Sequence, residues 1–273
     1  IATGRKGDKF GIDFDQAADV AKAAAGMKGI AFHGLAVHIG SQLTDIAPFR
    51  GAFERMAELT RTLRAAGITV TRLDLGGGIG VDYQGGGAIP FAEYARAVAE
   101  TVGNLGCELV FEPGRAMVAD AGLLLTRVVR VKDGATRRFV ITDAAMNDLV
   151  RPAMYNAYHP IRPVKQPAPG ATETPMDVAG PICETGDQFA AQRPLPPILA
   201  GELLAILKAG AYGFAMASTY NLRPLPAEVM VDGTRFAVVR PRQDYGDLLG
   251  ADILPDWNTG TTAEKPPKAR GAA

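Results

Sequence analysis

The stretch LDLGGGIG, residues 73–80, decides the reading of the fold. Its apolar lead-in from Val70 reads as a short strand, and the strand breaks at Gly76 into three consecutive glycines. Two other segments repeat the pattern. Residues 30–39 are apolar and extended and end in a cluster around His38, Gly40 and Ser41, within AVHIGSQ. Residues 107–111 form a second strand candidate and end in Glu112 to Arg115, within VFEPGRAM. The polar clusters are 76 − 38 = 38 and 112 − 76 = 36 residues apart. Helical pattern fills the gaps. Residues 48–66 carry Phe49, Phe53, Met56, Leu59 and Leu63 at helical spacing, 91–105 repeat the pattern, and 15–27 form an earlier helix behind acidic cap candidates. One βα unit per step of this length indicates a parallel sheet or barrel, in which roughly 250 residues carry eight units.

Beyond residue 120 the texture changes. Residues 123–131 and 138–142 alternate around the turn candidate Lys132-Asp133-Gly134, as a hairpin would. Residues 176–178, 197–199, 228–231 and 236–240 are further short strand candidates, the last two joined by Asp232-Gly233. The expected fold class is therefore α/β plus β: the C-terminal half of a (β/α)8 barrel over 1–119, then a mostly β, sandwich- or barrel-like domain over 120–257. Residues 258–273 are polar, Pro-bearing and without period, which predicts a disordered tail. Three βα steps, with a possible strand at 9–12, amount to about half of an eight-unit barrel. An open half-barrel exposes a strand edge, and the first residue is Ile rather than Met. The expectation is a chain whose beginning lies upstream.

Composition narrows the function. The 273 residues carry 29 Lys+Arg against 29 Asp+Glu, so charge gives no reason to expect nucleic acid or an anionic membrane as partner. Aromatic residues make up 7%, too few for a base-stacking platform. No apolar run approaches the roughly 20 residues of a membrane span. Two cysteines, Cys107 and Cys183, form neither a disulfide framework nor a zinc cluster, which points to a reducing, cytoplasmic setting and to no metal.

In parallel α/β structures, sites assemble at the C-terminal ends of strands. Gly76, Gly77 and Gly78 there offer bare backbone N–H groups to a phosphate, although alone they also suit a tight turn. Glu112 and Arg115 could be a surface ion pair, or a carboxylate and a guanidinium fork for an anionic substrate. His38 alone would be an ordinary strand histidine, but three such clusters recur on successive strands. In the second region, ICETGD (182–187) sets a thiol and two carboxylates in a Gly-containing loop. AGAYGFAM (209–216) holds a Gly-flanked Tyr212. MNDLVRPAMYNAYH (146–159) gathers Arg151, Tyr155, Tyr158 and His159 in one short polar stretch.

KFGI (9–12), HIGSQ, LDLGGGIG, EPGR, MNDLVRPAMYNAYH, CETGD and GAYGFAMASTYNLRPLPAEV together resemble the diaminopimelate decarboxylase branch of the alanine-racemase-like pyridoxal-phosphate enzymes, in order and approximate spacing. The resemblance runs from residue 1 to about 257. It implies pyridoxal 5'-phosphate as cofactor and removal of CO2 from meso-2,6-diaminopimelate to give L-lysine, the last step of lysine biosynthesis. It further implies that His38 stacks on the cofactor ring, that Ser41, Gly76, Gly77, Gly78 and Tyr212 hold the phosphate, and that Glu112 pairs with the pyridine nitrogen. Arg115, Arg151, Tyr155 and Glu184 would bind the substrate, and Cys183 would be the proton donor. The Cys-Glu loop of this family reaches the neighbouring subunit's site, so a homodimer with shared active sites is implied. Thr185, Thr219 and Leu225 depart mildly from the family's usual residues. The family's cofactor-anchoring lysine belongs to an earlier barrel strand and has no counterpart here, so these 273 residues alone are expected to be inactive. Two alternatives stay open: a decarboxylase for ornithine, arginine or carboxynorspermidine, or a non-catalytic homologue.

Overall fold

The computed structural model describes residues 9–255 and residue 257; the tail expected at 258–273 lies outside them. The chain divides into two compact units, one ending at Met216 and one beginning at Ala217.

The first unit opens with α1 (Phe14–Ala25), β1 (Gly34–Ala36), α2 (Ala47–Ala65), β2 (Arg72–Asp74), α3 (Phe91–Thr101), β3 (Glu108–Val110) and the single turn α4 (Arg115–Val118). Pro48 sits in the first turn of α2, where its missing N–H costs no helical hydrogen bond. Phe49, Phe53, Met56, Leu59 and Leu63 are all buried, so the apolar stripe read from the sequence is the face that packs. Tyr94 of α3 stands edge-on to Phe49 and Phe53, with ring centroids 5.3 and 5.8 Å apart. Helix α3 ends at Thr101, and the rest of the expected 91–105 helix is a single 3-10 turn at Gly103–Leu105. Residues 9–12 form a bend and no strand.

Strands β1, β2 and β3 run parallel in that order. Gly34 pairs with Arg72 and Arg72 with Glu108, so the steps are 72 − 34 = 38 and 108 − 72 = 36 residues. Ala36, Asp74 and Val110 are in register. His38, Gly76 and Glu112 each follow two residues later, so the three strands deliver their polar clusters side by side.

The chain continues through β4 (Leu124–Asp133), β5 (Arg138–Thr142), α5 (Arg151–Tyr155), β6 (Ile161–Pro163), β7 (Thr174–Ala179), β8 (Gln188–Leu195) and β9 (Leu203–Ile206). These strands form one six-stranded sheet in the order β6-β9-β4-β5-β7-β8, antiparallel except for the β5–β7 pair. Its core includes Val128, Val140, Leu149, Met176, Val178, Phe189, Leu204 and Ile206. The hairpin expected at 132–134 closes later: β4 runs on to pair Asp133 with Arg138, and the Gly134 N–H donates to the Arg137 carbonyl. The strand expected at 197–199 is absent, and β8 and β9 flank that segment instead. The second unit holds the hairpin β10 (Glu228–Asp232) and β11 (Arg235–Arg240), turning at Gly233, and the short helix α6 (Tyr245–Leu249), started by an Asp244–Asp247 capping box. Among the described residues no helix is long and apolar enough to cross a membrane.

Candidate active site

The three aligned strand ends make the floor of the site. A Cβ on Gly77 would collide with the Glu112 carbonyl, and one on Gly78 with the Gly40 carbonyl. Gly78 also has φ +102°, which only glycine adopts easily. The glycines thus let neighbouring strand ends close up and leave the floor without side chains. The Gly76 N–H donates to Asp74 Oδ1 at 2.8 Å and the Gly77 N–H to His38 Nδ1 at 3.4 Å. The N–H groups of Gly78 and of Gly114, the residue before α4, meet no acceptor among the described residues. His38 and Glu112 are exposed at the rim.

Above this floor lies a cluster the strands alone would not build. Arg115 and Arg151 are both buried, 5% and 4% exposed. The Arg115 guanidinium grips the Ser41 hydroxyl through Nε at 3.3 Å and Nη2 at 3.0 Å, and its Nη1 donates to the Tyr83 hydroxyl at 3.2 Å. Arg151 Nη1 donates to the same Tyr83 oxygen at 3.2 Å and to His159 Nε2 at 2.7 Å. Neither guanidinium has a carboxylate partner among the described residues. Burial pulls the Arg151 guanidinium down from its ordinary value; Tyr83 opposes that shift and the nearby Arg115 charge adds to it. Two buried guanidinium groups with no carboxylate partner among the described residues suit an anionic ligand.

His159 is fully buried. Its Nδ1 donates to the Leu207 carbonyl at 2.9 Å, which leaves Nε2 as the acceptor facing Arg151. Burial drives its pKa down to about 4; the Leu207 hydrogen bond opposes, and the charges of Arg151, Arg115 and Arg193 add to the shift. Tyr155 follows Arg151 by one turn of α5 and is half-exposed. Tyr212 adopts φ +57°, unusual for a residue with a side chain, and its ring centroid lies 4.8 Å from the Arg115 Cζ. Two residues earlier, Gly210 approaches the Val118 carbonyl so closely that a Cβ there would collide with it.

The structure thus brings together His38, Ser41, Gly76, Gly77, Gly78, Glu112, Arg115, Arg151, Tyr155 and Tyr212. It adds Tyr83 and the hydrogen-bonding role of His159, which the sequence reading did not assign. Tyr83 left one weak signal, an aromatic residue just ahead of the glycine run 85–87. Cys183 and Glu184 are exposed on the 182–187 loop. Among the described residues no group of His, Cys, Asp and Glu is arranged to hold a metal.

Residues 1–119 match the family described as pyridoxal-dependent decarboxylase, pyridoxal binding domain. The diaminopimelate decarboxylase of Zymomonas mobilis is 46% identical over 259 residues, which cover 94% of this chain and 61% of that protein. The diaminopimelate decarboxylase of Vibrio cholerae is 45% identical over 258 residues, covering 94% and 61%. The crystal structure of the Helicobacter pylori diaminopimelate decarboxylase in complex with L-lysine superposes with a TM-score of 0.86 at 38% identity, covering 92% of this chain and 62% of that one. Residues 1–119 thus resemble the pyridoxal-binding domain of the pyridoxal-dependent decarboxylases, and the fold matches the superposed enzyme, with parallel barrel strands leading into a β domain. Diaminopimelate decarboxylases are among the proteins similar to most of the length of this chain. It spans about three fifths of the length of these relatives.

The residues present fit pyridoxal phosphate. Gly78 and Gly114 offer N–H groups and Ser41 a hydroxyl to a phosphate, while His38 and Glu112 flank a floor open to a flat ring.

Proposed function

We propose that the protein decarboxylates meso-2,6-diaminopimelate to L-lysine with pyridoxal phosphate as cofactor. The observation that carries this reading is the buried Arg115–Tyr83–Arg151 cluster without a carboxylate partner among the described residues. Diaminopimelate has a second carboxylate at its far end; lysine and ornithine do not. A receptor built from two guanidinium groups suits that carboxylate and would be left uncompensated by a diamine tail. The lysine complex of the Helicobacter pylori relative agrees with lysine as product.

Pyridoxal phosphate, when bound, supplies the sink for the electron pair left by the departing carboxylate. The chain's own residues do the rest. Ser41, Gly78 and Tyr212 would hold the phosphate end, with Gly76 and Gly77 keeping the floor bare. His38 would cover the ring, and Glu112 would pair with the pyridine nitrogen. Arg115, Arg151 and Tyr155 fix the distal end of the substrate, aided by Glu184. Cys183 returns a proton to the carbon that lost CO2. As the resemblance implies, the exposed loop bearing Cys183 and Glu184 serves the site of a second copy, which makes the active unit a homodimer. Both cysteines are free thiols, as suits a proton-donating thiol in the cytoplasm.

The test is CO2 release by the full-length holoenzyme from diaminopimelate against ornithine, arginine and lysine. Arg151→Lys keeps the charge but loses the fork. It is expected to raise KM for diaminopimelate by roughly 10- to 150-fold, the worth of a charge-assisted hydrogen bond, while the cofactor absorbance stays unchanged. Preferential turnover of ornithine, or loss of cofactor in this variant, would overturn the reading.

A further inference from the structure

We propose that Tyr83 is a substrate-binding residue whose hydroxyl donates the third hydrogen bond to the distal carboxylate, between Arg115 and Arg151. The inference deepens the dicarboxylate reading above and rests on it.

A phenol oxygen has two lone pairs and one proton. Both lone pairs of Tyr83 are engaged, by Arg115 Nη1 and Arg151 Nη1, each at 3.2 Å. Its proton meets no acceptor among the described residues. Two cations on the oxygen polarise the O–H and strengthen it as a donor. The acceptor it lacks is the group its two neighbours also lack: an anionic oxygen. A carboxylate entering there satisfies both guanidinium groups and the phenol together.

The placement of Tyr83 is built in. Gln42, held at φ +63°, uses its side-chain amide as a strand partner for Val81: Nε2 donates to the Val81 carbonyl at 2.6 Å, and the Val81 N–H donates to Oε1 at 3.2 Å. The Leu43 N–H donates to the Gly78 carbonyl at 3.0 Å and the Gly80 N–H to the Leu43 carbonyl at 2.8 Å, which stitches 78–81 to the loop after β1. Tyr83 then packs on the buried trio Val81, Ala119 and Ala211, and its ring meets His159 edge-on at 5.4 Å. Contacts on several sides fix the ring, so the hydroxyl is preorganised before any ligand arrives.

Tyr83→Phe keeps the ring and removes only the hydroxyl. The probe is pimelate, the carbon chain of diaminopimelate with both carboxylates and no amines, titrated calorimetrically into the full-length protein loaded with pyridoxal phosphate. Pimelate is expected to bind the variant about 10-fold or more weakly than the wild type. The affinity for pyridoxal phosphate and the melting temperature are expected to hold, which separates a lost contact from a damaged fold. Equal pimelate affinity in both proteins overturns the proposal. So does a wild type that binds no pimelate, or a variant that loses pyridoxal phosphate while keeping pimelate. A wild type that binds pimelate through Tyr83 yet releases no CO2 from diaminopimelate overturns the proposed reaction and leaves the role of Tyr83 standing.

Discussion

At the scale of single residues, His159 shows how a buried group acts through its charge state. It is locked as a neutral acceptor for Arg151 because Nδ1 is committed to the Leu207 carbonyl. Protonation would set a cation against Arg151, with Arg115 and Arg193 near enough to add to the repulsion. The pKa in the fold is about 4, below the 6.5 of a free imidazole, so the unfolded chain binds the proton more readily. Stability from this site is therefore complete above about pH 6.5 and is lost as pH falls towards 4, by about 3 kcal/mol over the full window. His159→Gln keeps a hydrogen-bonding group without the titration. Denaturant midpoints at pH 7, 5.5 and 4.5 should fall more steeply in the wild type than in this variant; parallel falls would contradict the assignment. The sequence shows Arg151 and His159 in one dense polar stretch, and the reason they belong together is eight residues of chain that turn at α5. Tyr83 lies 68 residues before Arg151 in the chain, and no local pattern announces that pairing.

At the scale of elements, legibility follows the regularity of the pattern. Helix α2 and strands β1 to β3 repeat one unit, and each repeat corroborates the others. β6, β8 and β9 were missed for identifiable reasons. β6 is three residues long and ends in Pro163; β9 is four apolar residues, too short to show a period. β8 carries Pro194 and bulges at Gln192, whose φ is +48°. Asp177 holds that bulge by accepting the Gln192 N–H at 2.6 Å and its side-chain amide at 3.1 Å, a long-range contact that no window of sequence contains. The 182–187 loop is held in the same manner. Asp187 Oδ1 accepts the Met146 N–H at 2.7 Å and Oδ2 the Ile182 N–H at 2.8 Å, which ties the loop bearing Cys183 to the segment leading into α5. A Cβ on Gly180 would strike this carboxylate, so the close approach requires glycine there. Asp187→Asn replaces one acceptor with a donor facing a backbone N–H. It is expected to cost about 1.5–3 kcal/mol per hydrogen bond lost, read as a lower urea midpoint with an unchanged slope. A midpoint equal to that of the wild type would show that the loop does not depend on the carboxylate.

At the scale of the whole molecule, the exposure of Cys183 on its loop bears on assembly. The two arginines are buried, while Cys183 and Glu184 are exposed on their loop. A proton donor must come within hydrogen-bond reach of the carbon it serves. If the loop serves a second copy, each active site takes its arginines from one subunit and its thiol from the other. Cys183→Ala should then lower kcat by about 10²- to 10⁴-fold with little change in KM, because an acid contributes in the transition state. Arg151→Ala should act on substrate binding instead. In a dimer of one Cys183→Ala and one Arg151→Ala subunit, both defects fall in the same site and the other site is intact. In a two-fold dimer, random exchange makes about half the molecules mixed, each with one working site of two, so the mixture should recover about a quarter of wild-type activity. Subunit exchange is checked with two different affinity tags. Were the thiol to act within its own subunit, every site in the mixed dimer would carry a defect, and exchange would restore nothing. Recovery on mixing thus separates a loop that crosses between subunits from one that folds back, using residues whose positions in a single chain are already fixed.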